Sequence, residues 1–148
     1  GVDINASAKY PCGLGIRVSY GYLHEFMRDG QMKFSSTRPH SATARIEYGK
    51  SWDNYQFNLS LNGRALSKVE TNKYVGNNPE GTTGVTYPGY TMWNLTLTQG
   101  IWKGVSLNMA VNNIFNYVPS YYDANSPYTR GSNFSIGLAL DVDRFFRK

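Results

Sequence analysis

A chain of 148 residues has length for one domain, yet 41% hydrophobic and 15% aromatic content beside 17% charge leaves little aliphatic material for a soluble core. The net charge of +5 invites nucleic acid, but the 15 Lys and Arg are scattered, with no basic cluster longer than Arg147-Lys148, so the footprint of such a binder is missing. No apolar run exceeds three residues, which excludes a transmembrane helix but not strands that show lipid every second residue, and the single Cys12 excludes an internal disulfide or a cysteine zinc site.

Alternation with period two, the mark of β-strands, recurs along the chain. Val2, Ile4, Ala6, Ala8 and Tyr10 alternate with polar residues, and so do Ile16, Val18, Tyr20 and Tyr22. Ala42, Ala44, Ile46 and Tyr48 make a third strand. Phe57, Leu59, Leu61, Gly63 and Ala65 make a fourth. Trp93, Leu95 and Leu97 follow, then Val105, Leu107, Met109 and Val111. The last set is Phe134, Ile136, Leu138, Leu140 and Val142. The expected fold class is all-β, an antiparallel up-and-down meander of about seven strands and part of a larger transmembrane β-barrel.

The connections alternate in length. Pro11-Cys12-Gly13, Ser51-Trp52-Asp53-Asn54 and the stretch from Gly100 to Gly104 are tight turns. Glu25 to Ser41, Val69 to Gly89 and Tyr117 to Ser132 are long and polar, beyond the usual hairpin length of about 2–5 residues. In a meander, alternate connections fall on opposite ends, so the short turns share one end and the long loops the other. Outer-membrane barrels show this asymmetry, with short turns periplasmic and long loops extracellular. Tyr10, Trp52, Tyr55, Trp102 and Phe146 gather at the short-turn end, and Tyr20, Tyr22, Tyr90 and Trp93 toward the other. Such rings favour the headgroup region of a bilayer. The competing class is a self-contained small β-barrel or β-sandwich, a binding or adhesion module without transport. Asp3, Lys9, Arg17, Arg45, Glu47 and Arg64 on the polar face suit either a lumen or a solvent face.

The C-terminus carries a motif. Ser135, Gly137, Leu140 and Val142, followed by Phe146, read polar-x-Gly-x-x-apolar-x-apolar with a late aromatic. The pattern resembles the terminal signal read by the outer-membrane assembly machinery. Val111-Asn112-Asn113-Ile114-Phe115-Asn116 resembles the end of the penultimate strand in TonB-dependent receptors. Arg38-Pro39-His40 is similar to the start of a barrel strand in that family, and Asn116-Tyr117-Val118-Pro119 through Gly131 is similar to the last extracellular loop of its Bacteroidetes members.

The resemblance implies a 22-stranded barrel with a plugged lumen, residues 1–148 being the C-terminal part of the barrel wall. The plug, the TonB box and the earlier strands would precede Gly1. It also implies TonB-driven uptake of a scarce nutrient complex (siderophore, haem, cobalamin or glycan) at the outer membrane. The expected partners are the lipid bilayer and lipopolysaccharide, the rest of the same receptor, TonB through the plug, and the assembly machinery, with no nucleic acid.

No catalytic constellation is apparent, and neither a cofactor nor a metal site is expected. His24 and His40 are the only histidines, and His40 belongs to the strand-start motif. Asp141 and Asp143 share a face without a nucleophile or base beside them, and Met27 and Met32 suit packing. Ligand contact is expected instead from the last long loop, at Tyr117, Tyr121, Tyr122, Tyr128 and Arg130. Tyr and Arg bury large areas while keeping a polar handle. Packing of the loop against its neighbours is the alternative role for the same side chains.

Overall fold

The computed structural model describes residues 1–26, 31–52, 55–76, 81–121 and 126–143. In chain order the strands are β1 (Val2–Lys9), β2 (Leu14–Tyr22), β3 (His40–Trp52), β4 (Tyr55–Leu66), β5 (Val69–Tyr74), β6 (Thr82–Tyr87), β7 (Tyr90–Trp102), β8 (Val105–Asn112) and β9 (Asn133–Leu140). Seven of them form one sheet in the order β1-β2-β3-β4-β7-β8-β9, every neighbouring pair antiparallel. The meander expected from the alternation is therefore present. Several strands run further than their apolar residues, β3 to Trp52 and β7 to Trp102.

Register explains why the alternation reads so cleanly. Directly paired residues point to the same side of a sheet, so one row can be followed across all seven strands. Ala8, Ile16, Ile46, Leu61, Leu95, Val111 and Phe134 form such a row. Tyr48, Leu59, Leu97, Met109 and Ile136 form the next. The opposite side carries Ser7, Arg17, Arg45, Asn62 and Asn94 in one row and Glu47, Ser60, Thr96, Ala110 and Ser135 in another. A slip of one residue in any pair would exchange the two faces of that strand.

The apolar face is bare. Leu138 is 74% exposed and Ile4 58%. Among the described residues the buried hydrophobics are Leu66, Val69 and Tyr87, all at the long-loop end. A β-sandwich would lay a second sheet over Leu61 and its row, and no such layer is present among the described residues. The sheet is also open, with β1 and β9 each paired on one side only.

One close approach on the apolar face depends on a glycine. Trp93 is paired with Gly63, and its indole lies so flat that a Cβ on Gly63 would come 2.5 Å from the ring. The indole Nε1 donates to Thr91 Oγ1 at 2.8 Å. Gly63→Ala should push the ring off its neighbour, and a blue-to-red shift in Trp93 fluorescence in detergent would report it.

Two expectations need correction. The stretch from Val69 to Gly89 is not an irregular loop, because β5 and β6 pair as a hairpin, from Val69↔Tyr87 to Tyr74↔Thr82. The reason lies in Val69 and Thr71 on one strand meeting Val85 and Tyr87 on the other. These β-branched and aromatic residues favour a ladder once one face can be covered. The final strand also stops short, at Leu140 rather than Val142. Leu140 pairs with Val105, the first residue of β8, and beyond it the neighbouring strand has already turned. The Asp141 N–H takes the Gly104 carbonyl at 2.7 Å, and no ladder partner remains for Val142.

Candidate functional site

The three long connections meet at one end of the sheet and build a single cap. Its core is the β5–β6 hairpin, where Val69 and Tyr87 are buried with Val85 and Tyr121 packed against them. The first long connection lies along the hairpin. Asn72 N–H donates to the Lys33 carbonyl at 2.6 Å, Asn72 Nδ2 to the same oxygen at 3.0 Å, and Phe34 stacks on Tyr74 at 4.8 Å. Within that connection Glu25 accepts from Ser35 Oγ at 2.7 Å and pairs with Lys33 at 3.2 Å. The Ser35 hydrogen bond and then Lys33 hold its carboxyl below the ordinary range, against the opposing effect of burial.

A folded-state pKa held low stabilises above the ordinary carboxylate range and stops doing so as pH falls through the lowered value. Acidification into that range should therefore free the segment around Ser35, and amide exchange there should accelerate while exchange in β3 and β4 stays unchanged.

Arg38 joins all three loops. It is only 6% exposed, and its Nη1 donates to the Ser67 carbonyl and, at 2.9 Å, to the Pro88 carbonyl. Its Nη2 donates to Tyr121 Oη at 3.1 Å, and that hydroxyl donates on to the Pro88 carbonyl at 3.0 Å. The guanidinium also lies 5.1 Å from the centre of the Tyr90 ring. A buried charge is costly unless carbonyls and an aromatic face take its hydrogens, and here both do. Tyr90 in turn stacks on Tyr117 at 5.2 Å with 14° between the rings.

The Asn-Asn-Ile-Phe-Asn stretch ties off the last loop. Asn113 is 1% exposed and left-handed, with φ 54°. Its side chain accepts from the Tyr117 N–H at 2.9 Å and donates to the Tyr117 carbonyl at 2.7 Å. The Asn113 N–H reaches Asn94 Oδ1 at 2.9 Å, and its carbonyl accepts from Ser132 Oγ at 2.6 Å. Asn116, also left-handed, accepts from the Ser132 N–H at 2.9 Å. Asparagine tolerates this backbone region and can bond locally. Asn113→Gly removes the two bonds to Tyr117 without adding strain and should cost about 2 kcal/mol. Faster proteolytic cleavage of the last loop, with an unaltered sheet, is the expected readout.

The residues expected to contact ligand separate into two groups. Tyr117 and Tyr121 are half-buried, holding the loop to Tyr90, Tyr87 and Arg38. Burial first, and then the neighbouring Tyr121, raises the Tyr117 hydroxyl above the ordinary phenol range. Tyr128, 82% exposed, and the exposed Arg130 face outward from the same loop. Tyr122 lies outside the described residues. Arg38, Tyr87 and Tyr90 were not among the expected contacts, and Arg38 entered only through the strand-start motif.

His40 opens β3, and its Nδ1 lies 2.6 Å from Tyr20 Oη. His24 stacks on Tyr22 at 6.5 Å. Among the described residues no three His, Cys, Asp or Glu side chains cluster as metal ligands. Met32 accepts from Thr82 Oγ1 at 3.1 Å, and Met27 lies outside the described residues.

The C-terminal motif falls on β9, at one edge of the sheet. Ser135 pairs with Ala110, Gly137 with Asn108 and Leu140 with Val105. Leu140 and Val142 are exposed, Val142 beyond the strand, and Phe146 lies outside the described residues.

A family model described as TonB dependent receptor-like, beta-barrel matches residues 1–114. Comparison with curated proteins and with solved structures gives no match. The family match takes in β1 to β8 and ends inside the Asn112-Asn113-Ile114 turn, leaving the last loop and β9 outside it. Over three quarters of its length, then, the chain belongs to the TonB dependent receptor-like beta-barrel family, receptors of the outer membrane that serve transport and not catalysis.

Proposed function

We propose that residues 1–148 are the C-terminal part of a plugged barrel wall in a TonB-dependent transporter, with the plug, the TonB box and the earlier strands preceding Gly1. The observation that carries this reading is the open seven-stranded sheet with one apolar face, one polar face and the long connections at the same end. A wall between lipid and an aqueous lumen needs that division of faces. The two unpaired edges, β1 and β9, are where the remaining strands of the barrel would add.

The cap of three loops faces outward and meets the cargo, with Tyr128 and Arg130 as its most accessible contact groups and Tyr117 and Tyr121 shaping the surface behind them; Tyr122, in the same loop, is a further contact group of this reading. The tight turns face the periplasm. Import is driven by TonB acting on the plug. Ser135, Gly137, Leu140, Val142 and Phe146 serve as the assembly signal, supported by the position of β9 at a sheet edge, where another chain can pair with it. Lipid and lipopolysaccharide surround the apolar face.

Orientation is testable in intact cells on a Cys12→Ser background. Tyr128→Cys should react with a membrane-impermeant maleimide from outside. Lys103→Cys, in the turn between β7 and β8, should react only after lysis. The reverse pattern would turn the barrel over and remove the cap from the cargo side.

A further inference from the structure

The polar face carries a charge imbalance that its own residues do not relieve. On β1 to β4 it presents Lys9, Arg17, Arg45 and Arg64 against Asp3 and Glu47. Arg17 and Arg45 are direct cross-strand partners. Arg64 stands diagonally from Arg45, because Arg45 pairs with Asn62 and Arg64 with Thr43. Like charges in direct opposition destabilise a sheet, and diagonal neighbours at about 7–8 Å remain within reach of long side chains.

Glu47 relieves only one of the three. It accepts from Arg45 Nε at 2.7 Å and pairs with the same guanidinium. Arg17 and Arg64 have no hydrogen bond or ion pair among the described residues. An open hollow of about 520 Å³ lies over them, and its lining includes Arg17, Arg45, Arg64 and Asn94 beside the apolar Ala44 and Met92. Arg64 also borders a second hollow of about 360 Å³ toward the cap, shared with Asp3, Thr37, Arg38 and Ser41. Arg64 thus borders both hollows, one toward the loop end and one over the middle of the polar face.

We propose that this face binds a small oxyanion, a polycarboxylate or a phosphate, between Arg17, Arg45 and Arg64. The planar guanidinium fork matches two oxygens of either group, and such charge-assisted pairs are stronger than neutral hydrogen bonds. Thr43, Asn62 and Asn94 add neutral polar groups at the rim. The site rests on reading the polar face as the aqueous inner wall of a transporter, and it names the chemistry of cargo that wall would pass.

The test uses the intact receptor carrying this chain, purified in detergent and titrated calorimetrically with citrate and with inorganic phosphate at low salt. At least one anion should bind saturably. Arg17→Gln/Arg64→Gln should weaken that binding by about tenfold or more, and Glu47→Gln should strengthen it. Equal binding by the wild type and the double variant would overturn the proposal. So would an absence of binding accompanied by a lower unfolding midpoint in the double variant, because the arginines would then be neutralised by carboxylates of the receptor itself. A separate probe keeps the two readings apart. Ser60→Cys on a Cys12→Ser background should react with a small water-soluble thiol reagent while Leu59→Cys does not. If that contrast holds and no anion binds, the anion site fails alone; if the contrast is missing, the wall reading fails with it.

Discussion

Gly13→Ala is expected to destabilise the wall by about 4 kcal/mol and to block its assembly. Gly13 closes the turn between β1 and β2 with φ 94°, and its N–H donates to the Tyr10 carbonyl at 3.0 Å. An L-residue in left-handed conformations costs roughly 1–2 kcal/mol. The second contribution is steric. A Cβ at this position would fall inside contact distance of the Gly49 carbonyl oxygen, which is backbone and cannot swing away. The Gly49 N–H donates to the Gly13 carbonyl at 2.9 Å, so any retreat also breaks the link from the turn to β3. Losing that hydrogen bond adds about 1 kcal/mol, and the displaced backbone accounts for the rest. Heat-modifiable mobility on gels should show little folded receptor for Gly13→Ala. Pro11→Ala, in the same turn but without a positive φ, should assemble like the wild type.

Leu61→Arg should cost about 2–4 kcal/mol, the range for a cation on the lipid face near the bilayer midplane. Leu61 lies on β4 between Ile46 and Leu95, in the apolar row that crosses all seven strands. Its neighbours offer no carboxylate on that face, so a guanidinium there meets hydrocarbon or must snorkel along the wall. Thr96→Arg, next to Leu95 on β7, exposed and facing the other way, should cost under about 0.5 kcal/mol, as exposed polar substitutions usually do. Unfolding by urea in lipid vesicles separates the two. Equal costs for the pair would mean that the faces do not meet different solvents.

The sheet was legible because each strand alternates in a register that keeps most large apolar residues on one side. Ile16, Ile46 and Leu61 announce their face in the sequence and share it in space. Strand ends were less legible. Lys50-Ser51-Trp52 in β3 and Gln99 to Trp102 in β7 lie near the short-turn end, where polar and aromatic residues interrupt the alternation. The hairpin was hidden for a different reason. Thr71, Thr83 and Thr86 read as loop chemistry, and β5 and β6 gain a covered face only from Tyr121 and the first long connection. The Arg38 junction carries no local signal beyond the strand-start motif. Its partners are Ser67, Pro88 and Tyr121, which are 29, 50 and 83 residues away, and two of them offer only backbone oxygens. Composition and spacing do not encode a carbonyl brought near by folding.

A barrel wall of this kind turns its apolar face to lipid and its polar face to water. Leu138 and Ala139 are adjacent on β9 and point to opposite sides, paired with Leu107 and Ser106. Spin labels at these two positions, in the receptor reconstituted into lipid vesicles, test the claim most directly. The label at Leu138 should relax with dissolved oxygen and ignore a water-soluble nickel quencher, and the label at Ala139 should do the opposite. Equal accessibility to both reagents at the two positions would contradict the lipid-facing wall.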